Sequence, residues 1–569
     1  MNPPNIIIVA DTPFSYNDTN LIGRFLELSN LMEAKYTLYA IMPDNPLMGD
    51  NDKHPWVYPK ATQKHIPDAQ QYGGAWCSPT FIKKAEECLT HLKTLSPTTL
   101  ILTLGTIPLW LLTGLDSADK WRGSRLKTNP LLFETPFLVM PTLSMRSLNA
   151  SPDLASRISV DFSRLAKERD RNGLAYTPTP LDTQIKTTFK DANAFLSSLL
   201  SQLEEKPLKL SIDIETKNNT ILCLGFALNS HSAVCVPFWH EVYLKDIKKM
   251  PKLKREQAQV ANALIDTKQT IAQRLYSIEE ESTLLLKITK ILRHKNALLI
   301  GQNLAFEFQF FAHYWLTLPV AHFDTMIAQH LLLPGTPKAL GYLHSLYGAE
   351  YLYWKDDGKF WEDNALMNYP QLWEYNCKDC ANTFEVYEEQ RKLLAFFNLG
   401  EQMKTQMRRL ENFSWIMYRG VRIDTTYRTS VLNDLARTIY QLNQRVAALT
   451  NRPLNVASPL QLSDFFYKEQ GLPRQIHQIT KQPTTDDEAL KALGIIDPLY
   501  KRLTTCINQI RSYNTALAAI SSGANYWTGR FHSAYNTAGA ETFRCSSSKD
   551  VWGQGMNMQN ATSGKEIAK

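Results

Sequence analysis

Short apolar runs alternate with amphipathic stretches over residues 1–170. The apolar runs are rich in β-branched and aromatic residues, which is typical of buried strands. They are NIIIVA (5–10), YTLYAIM (36–42), TLILTLG (99–105) and FLVMP (137–141). Because helical stretches separate them, the pattern predicts an α/β domain. The polar, Thr- and Pro-rich stretch LAYTPTPLDTQ at 174–184 then predicts a linker.

A second pattern begins near residue 186 and differs in the spacing of its strands. An amphipathic helix at 189–205 precedes three apolar runs whose close spacing predicts antiparallel pairing: LKLSIDIE (208–215), ILCLGFAL (221–228) and AVCVPFW (233–239). Helical patterns follow and dominate beyond residue 396. The sequence therefore predicts a multidomain α/β protein with an α/β domain at 1–172, a linker at 173–185, a mixed-sheet domain at 186–395 and a mostly helical part at 396–569.

Composition narrows the class of protein only slightly. A length of 569 residues and 44% hydrophobic residues predict several packed domains. The formal charge of +7 permits a nucleic-acid partner, and the basic run KDIKKMPKLKRE (245–256) is either a solvated loop or a contact with a nucleic-acid backbone. The N-terminus lacks the pattern of a signal peptide, and the apolar stretch 98–114 predicts a buried strand and helix rather than a membrane span.

Cysteine usage indicates a reducing compartment. Eight scattered cysteines suggest no disulfide framework, so we expect a cytoplasmic protein. Cys377 and Cys380 form one CxxC motif without a second pair, which favours two ordinary thiols over a zinc site.

Candidate chemistry lies in carboxylates from three distant segments. Asp213 and Glu215 stand two positions apart in LKLSIDIETKNN (208–219), so a strand would point both to one side. Such a pair predicts either a divalent-cation site or a solvated strand end. Glu307 lies in LLIGQNLAFEFQFF (298–311). In the segment 373–390, a helix would place Tyr375 and Asp379 one turn apart.

This set resembles the three exonuclease motifs of the DEDD superfamily, in the form that carries a tyrosine. The resemblance implies an RNase H-like fold in which Asp213, Glu215 and Asp379 hold two divalent cations, Mg²⁺ or Mn²⁺, while Tyr375 orients the attacking water. Glu307 takes the place of the family's second-motif aspartate and is predicted as the fourth ligand. Its extra methylene moves the carboxylate by roughly 1.5 Å, which can weaken catalysis.

The same resemblance implies roles for two further residues, Asn303 and Asp324. Asn303 precedes the second motif and is expected to contact DNA. Asp324 matches another acid of polymerase-attached members and is expected to be structural. Three tryptophans near these motifs are core residues or stacking platforms for frayed single-stranded ends: Trp315, Trp354 and Trp361.

The part beyond residue 396 resembles the start of a bacteriophage-type family A DNA polymerase. The motifs are MYRGVRID (417–424), SPLQLSDFFYKEQGLP (458–473) and NTAGAETFRCSSSKDVWGQGMNMQN (536–560). The resemblance implies a thumb and the beginning of a palm that bind a DNA primer–template and single-stranded 3′ ends. Arg544 would contact the duplex, with Gln559 and Asn560 near the template strand. Phe543 stands where the family has glycine, which leaves the local backbone conformation open.

The polymerase motifs of the palm and fingers are expected after Asn560, where only nine residues follow. Polymerase activity is therefore not expected from this chain alone, and a second polypeptide or a longer product would supply those motifs. The leading hypothesis is a 3′→5′ proofreading exonuclease that also binds primer–template. The alternative is a non-catalytic DNA-binding or scaffolding subunit with an inactive exonuclease domain.

The front domain resembles, more loosely, the uracil-DNA glycosylase superfamily. NIIIVADTPFSYND (5–18), LILTLGTIPLWLLTG (100–114) and VMPTLSMRSL (139–148) stand where that family has its motifs. Asp11 would occupy the water-activating position. Ser144 replaces the histidine that stabilises the departing uracil anion, and this loss weakens catalysis by several kcal/mol. A non-catalytic, DNA-contacting or scaffolding domain is therefore favoured over an active glycosylase.

Overall fold

The structure is a computed structural model. It describes residues 5–31, 33–42, 57–58, 70–72, 75–171, 173–217, 219–243, 270–356, 368–478, 480–521, 524–525, 529–555 and 557–560. The basic run 245–256 and Trp361 lie outside these residues. The chain divides into two compact units. The first comprises 1–302 and 322–400, and the second comprises 303–321 and 401–569.

The N-terminal lobe, residues 5–171, is built on one five-stranded sheet with the order β2-β1-β6-β8-β7. Its elements are β1 (Ile6–Ala10), α1 (Tyr16–Leu28), β2 (Tyr36–Ala40), β3 (Val57–Tyr58), β4 (Gln70–Tyr72), β5 (Ala75–Cys77), α2 (Pro79–Lys93), β6 (Leu100–Leu104), α3 (Thr106–Thr113), α4 (Ala118–Trp121), β7 (Leu126–Lys127), β8 (Leu138–Thr142), α5 (Ser147–Ala150) and α6 (Ala155–Asp170). The strands β2, β1, β6 and β8 are parallel, and β7 pairs antiparallel with β8.

The hydrophobic pattern explains this sheet. Every residue of β1, β6 and β8 is buried, as expected for parallel strands covered by helices on both faces. The stretch 98–114 forms β6 and α3, which confirms the predicted strand and helix. Asp11 directly follows β1, and Ser144 lies two residues after the end of β8. Both positions are at the carboxyl edge of the sheet.

The central lobe, residues 173–302 and 322–400, is built on a six-stranded sheet with the order β16-β15-β10-β11-β12-β9. Its elements, together with helix α9 of the second unit, are β9 (Asp182–Ile185), α7 (Phe189–Glu205), β10 (Leu208–Lys217), β11 (Thr220–Asn229), β12 (Ser232–Pro237), β13 (Trp239–Tyr243), β14 (Thr270–Arg274), α8 (Ile278–Leu292), β15 (Ala297–Gly301), α9 (Ala305–Trp315), β16 (Ala321–Asp324), α10 (Thr325–Leu332), α11 (Leu340–Tyr347) and α12 (Tyr369–Phe396).

The predicted antiparallel strands are confirmed, and one strand was missed. The neighbours β10, β11 and β12 pair antiparallel, whereas β10 pairs parallel with β15. Residues 182–185, inside the predicted linker 173–185, form β9 and pair parallel with β12. The sequence of β9 is mostly polar because it lies at the edge of the sheet, so it lacks the apolar signal of a buried strand.

The second unit is mainly helical. Its further elements are α13 (Gly400–Arg419), β17 (Val421–Arg422), α14 (Thr425–Thr450), α15 (Pro459–Ser463), α16 (Asp487–Ile496), α17 (Pro498–Ser521), β18 (Ala524–Asn525), β19 (Arg530–Phe531), β20 (Ala534–Asn536) and β21 (Ser546–Ser548). Its core brings together α14, α16, α17 and the segment 464–469, with Val446, Phe466, Leu490 and Ile507 almost completely buried. Predominantly helical structure after residue 396 is thereby confirmed.

The sequence also predicts the state of the cysteines and the character of the apolar stretches. All eight cysteines are free thiols. Within the described residues, no helix combines the length and the apolar character that crossing a membrane requires.

A buried ion pair joins α6 to the segment after α4 in the N-terminal lobe. Arg122 Nη2 lies 2.9 Å from Asp161 Oδ1, and Arg122 Nε donates to Asp161 Oδ2 at 3.1 Å. Thr142 Oγ1 donates to the same Oδ2 at 2.6 Å. Both side chains of the pair are 1% exposed, so neither charge can be solvated if its partner is lost.

We therefore expect Arg122→Ala to lower the free energy of unfolding by about 3–5 kcal/mol, because it leaves the Asp161 carboxylate buried without its counter-ion. Urea unfolding followed by circular dichroism measures this. The control is Lys84→Ala, which removes an exposed pair with Glu87 and should change stability by less than about 1 kcal/mol. Equal losses in both variants would contradict the prediction.

Candidate metal centre

Strand β10 places two carboxylates on the same side of the mixed sheet. Asp213 and Glu215 alternate with Ile212 and Ile214, which are 1% and 4% exposed. This period of two is what a strand produces when one side is apolar. The strand lies between β15 and β11: residues 208–211 pair with β15, and residues 211–217, which carry both carboxylates, pair with β11.

Helix α12 brings the third carboxylate to the sheet. Asn368 caps its N-terminus, and Tyr375 and Asp379 lie one turn apart, as predicted. Gly225 of β11 is the register partner of Asp213. A Cβ atom at Gly225 would lie 2.4 Å from Asn376 Oδ1. Glycine is therefore required there for the helix to approach the sheet so closely.

The three carboxylates form one cluster. The ligand oxygens of Asp213, Glu215 and Asp379 all lie within 4.8 Å of one another. No other three His, Cys, Asp or Glu side chains in the described ranges are this close together. Asp379 is buried, whereas Asp213 and Glu215 are half-buried, so solvent reaches the cluster.

Desolvation and like charge govern the protonation of the cluster. Burial, reinforced by the nearby Asp379 carboxylate, raises the pKa of Asp213 from 3.8 to about 8. Burial and the Asp213 carboxylate raise the pKa of Glu215 well above its ordinary value. Burial also raises the pKa of Tyr375, so its phenol keeps its proton at neutral pH.

Hydrogen bonds from three neighbouring side chains orient two of the carboxylates, Asp213 and Asp379. Asn376 Nδ2 donates to Asp213 Oδ2 at 2.8 Å. Trp354 Nε1 donates to Asp379 Oδ1 at 2.6 Å, and Lys355 Nζ donates to Asp379 Oδ2, also at 2.6 Å. Trp354 is thus a buried side chain with a polar contact, rather than a platform exposed for stacking.

Sequence reasoning missed Asn376 and Lys355. Asn376 directly follows the motif tyrosine, and its polarity inside a helix that packs on a sheet is the signal that identifies it afterwards. Lys355 lies in an irregular segment, where no periodicity indicates which side chain faces inward. Asp324 caps α10 by accepting from Met326 N and Ile327 N at 2.9 and 3.2 Å, which supports the structural role expected of it.

The remaining predicted residues of the second motif lie in the second unit. Glu307 is buried on α9, and Asn303 precedes this helix with a positive φ of 64°. Trp315, at the end of α9, stacks on Phe311 with ring centroids 4.9 Å apart. Participation of Glu307 in the acidic cluster therefore stays a prediction.

The predicted duplex-binding residues also lie in the second unit. Arg544 is exposed, and Gln559 Nε2 donates to the carbonyl oxygen of Cys545. Asn560 ends a short 3₁₀ helix. Phe543 has a φ of 60°, the left-handed conformation that glycine adopts easily. The backbone conformation left open by the sequence is therefore of the glycine type, although the residue carries a side chain.

Comparison with known proteins identifies the class to which the chain is similar. Residues 425–567, which include α14 to β21, match the family model of DNA polymerase family A. This region is thus similar to DNA-directed DNA polymerases of that family.

The particular relatives are bacterial DNA polymerases I. The protein from Pseudomonas aeruginosa is 24% identical over 410 residues, which are 68% of this chain and 40% of that protein. The protein from Chloroflexus aurantiacus is 27% identical over 158 residues, 26% of this chain and 16% of that protein. The thermostable protein from Thermus thermophilus is 30% identical over 130 residues, 23% and 16% of the two chains. The matches span two fifths or less of these relatives.

Among solved structures, the POL domain of Pol1 from M. smegmatis, in complex with DNA primer-template and dNTP, gives a TM-score of 0.45 at 16% identity. This match covers 65% of the present chain and 55% of that chain.

The raised pKa of Asp213 predicts how the metal-free chain responds to pH. The folded state keeps a proton that the unfolded chain releases near pH 4, so the free energy of unfolding falls as the pH rises from about 4 to about 8. Asp213→Asn does not titrate and escapes this loss. In EDTA, its unfolding midpoint should exceed that of the wild type at pH 9, and the difference should be smaller at pH 5, because the wild type loses stability only as the pH rises between the two pKa values.

Thermal unfolding followed by circular dichroism measures this difference. The control is Asp170→Asn at an exposed carboxylate, which should leave both midpoints unchanged. A difference between Asp213→Asn and the wild type that is the same at pH 5 and pH 9 would rule out the raised pKa.

Proposed function

We propose that this chain is the 3′→5′ exonuclease and primer–template-binding portion of a family A-type DNA polymerase. The observation that carries this proposal is the cluster of Asp213, Glu215 and Asp379, with Tyr375 one turn before Asp379 on α12. The similarity of residues 425–567 to family A DNA polymerases supports an action on DNA. The bacteriophage type and the expected second polypeptide stay predictions.

The donor set fits hard divalent cations. Oxygen ligands are those that Mg²⁺ and Mn²⁺ prefer. Burial and neighbouring carboxylates raise the pKa of Asp213 and of Glu215, so a bound positive charge would stabilise their ionised forms. Asp213, Glu215 and Asp379 would hold the cations, with Glu307 as the fourth predicted ligand. Two bound cations supply a nucleophilic water and stabilise the leaving oxygen of a phosphodiester.

The chain's own side chains position these ligands. Asn376 fixes the carboxylate of Asp213 through its 2.8 Å hydrogen bond, and Trp354 fixes that of Asp379. Tyr375 remains a neutral phenol because burial raises its pKa, so it can orient a water without adding negative charge. These contacts limit rotation of the ligands, which matters because displacements of about 1 Å can lower a rate roughly a hundredfold.

Digestion of a 3′-labelled single strand tests the exonuclease directly. We expect the purified chain to shorten the strand in Mg²⁺ or Mn²⁺ and not in EDTA. Asp213→Ala and Asp379→Asn should each lower the rate by at least about a hundredfold, because each removes a cation ligand. The measurement is the initial rate of nucleotide release at saturating metal.

Asp170→Asn serves as the matched control, since this exposed carboxylate lies on the same unit and should leave the rate unchanged. If the wild-type chain bound DNA without shortening it, the non-catalytic DNA-binding subunit would replace the exonuclease as the assigned function. Shortening that survives Asp213→Ala would refute the role given to the acidic cluster.

The second unit is proposed to bind the primer–template, with Arg544, Gln559 and Asn560 at the DNA. Arg544→Ala should weaken duplex binding uniformly across sequences and reduce the salt dependence of log K by about one unit of slope, because one phosphate contact is lost. Fluorescence anisotropy at several salt concentrations measures both quantities. Arg437→Ala, at an exposed arginine on α14, should change neither. An unchanged slope for Arg544→Ala would exclude a phosphate contact.

The N-terminal lobe is proposed to be non-catalytic. Asp11 and Ser144 lie at the carboxyl edge of its sheet, where the uracil-DNA glycosylase resemblance expects an acid and a histidine. A serine hydroxyl carries no positive charge with which to stabilise a departing uracil anion.

A further inference from the structure

The ammonium group of Lys355 contacts the carboxylate of Asp379, which is one of the proposed cation ligands. Lys355 Nζ lies 2.6 Å from Asp379 Oδ2 and 2.9 Å from the hydroxyl oxygen of Tyr375. The same ammonium lies over the rings of Trp354 and Tyr375, 5.4 and 5.0 Å from their centroids. Its side chain is only 26% exposed, and that of Asp379 is 7% exposed. Lys355 is therefore held in place rather than mobile on a surface.

Lys355 lies in the irregular segment that follows α11, residues 348–356. This segment is attached to the N-terminal lobe. The ring of Trp121 packs edge-on against that of Tyr353, with centroids 5.3 Å apart. Tyr353 N donates to Ser124 Oγ at 3.3 Å, and Lys120 Nζ lies 3.2 Å from Asp356 Oδ2. Residues on both sides of Lys355 thus contact α4 and the turn after it.

Two buried arginines of the N-terminal lobe hold the beginning of this segment. Arg164 Nη1 donates to the carbonyl oxygen of Ser345, and its Nη2 donates to that of Gly348, both at 2.7 Å. Arg122 Nη1 donates to Ser345 Oγ at 2.7 Å. These charged hydrogen bonds to the end of α11 fix where the segment leaves the helix.

We propose that the N-terminal lobe holds Lys355 against Asp379 and thereby weakens the binding of divalent cations to the acidic cluster. This inference rests on the proposed metal-dependent function and deepens it. Lys355 acts as a positioning residue and as an internal competing cation. The lobe that resembles a glycosylase would thus regulate the exonuclease site through a rigid contact.

Electrostatics gives the direction of the effect. An ammonium 2.6 Å from a ligand oxygen neutralises part of the negative charge that attracts a cation, and it repels any cation bound to that oxygen. A carboxylate oxygen has two acceptor sites, so a cation can bind Asp379 beside Lys355, but only against this repulsion. Removing the ammonium should therefore tighten cation binding.

Titration of the full chain with Mn²⁺ in a calorimeter at pH 8.5, without DNA, tests the inference. We expect Lys355→Met to bind Mn²⁺ about tenfold more tightly than the wild type, because the competing charge is gone while the side-chain length is kept. Lys355→Arg should bind with the wild-type affinity, since it restores the positive charge. The exonuclease assay is not needed for this comparison.

The effect of the N-terminal lobe on cation binding is tested by Trp121→Ala, which removes the ring that packs on Tyr353. It should tighten Mn²⁺ binding in the same direction as Lys355→Met, and it should add nothing further when combined with Lys355→Met. Trp110→Ala is the matched control, because this half-buried tryptophan packs within the N-terminal lobe against Phe81. It should leave Mn²⁺ affinity unchanged. Circular dichroism verifies that each variant is folded.

The outcomes separate the two proposals. If the wild type binds Mn²⁺ and Asp213→Ala abolishes this, but Lys355→Met binds no more tightly, the inference about Lys355 is wrong and the metal site stands. An equal effect of Trp121→Ala in the presence and absence of Lys355 would overturn the role of the N-terminal lobe. Absence of Mn²⁺ binding to both the wild type and Lys355→Met would overturn the metal site and this inference together.

Discussion

Repulsion between like charges in a partly desolvated volume is the constraint on which the centre of the first unit depends. Three carboxylates whose oxygens lie within 4.8 Å of one another would destabilise the fold if nothing faced them. Three side-chain donors contact two of these carboxylates: the Asn376 amide contacts Asp213, and the Trp354 indole and the Lys355 ammonium contact Asp379. The surrounding elements are arranged so that these donors reach the cluster.

Close packing between α12 and the sheet makes that arrangement possible. Gly225 offers no side chain at the point where Asn376 meets β11, so the helix can lie near enough for the amide to reach Asp213. The rotation of the helix is thereby fixed, and with it the direction of Tyr375 and Asp379 one turn apart. A larger residue at Gly225 would displace the helix and would move the third carboxylate away from the first two.

Periodicity explains which parts of this centre were predictable from the sequence. The spacing of Asp213 and Glu215 follows from a strand, and that of Tyr375 and Asp379 from a helix; the structure confirms both elements. Their catalytic role stays a prediction. Lys355 lies in an irregular segment whose conformation depends on contacts with a distant part of the chain, and no local pattern encodes such contacts. The edge strand β9 was missed for a related reason, since its partner rather than its own composition makes it a strand.

Arg164 of α6 and Arg122 of the turn after α4 donate hydrogen bonds to the end of α11. These bonds affect how the first unit unfolds. Arg164 and Arg122 would each lose hydrogen bonds to Ser345 if the two lobes separated, and both side chains are buried. Opening of one lobe alone would exchange these charged hydrogen bonds for bonds to water and would expose the contact between the rings of Trp121 and Tyr353, so the partially unfolded state lies above the folded state in free energy. The two sheets, although each has its own apolar core, therefore behave as one cooperative folding unit, and proteolytic cleavage between residues 171 and 182 would not release two independently stable fragments.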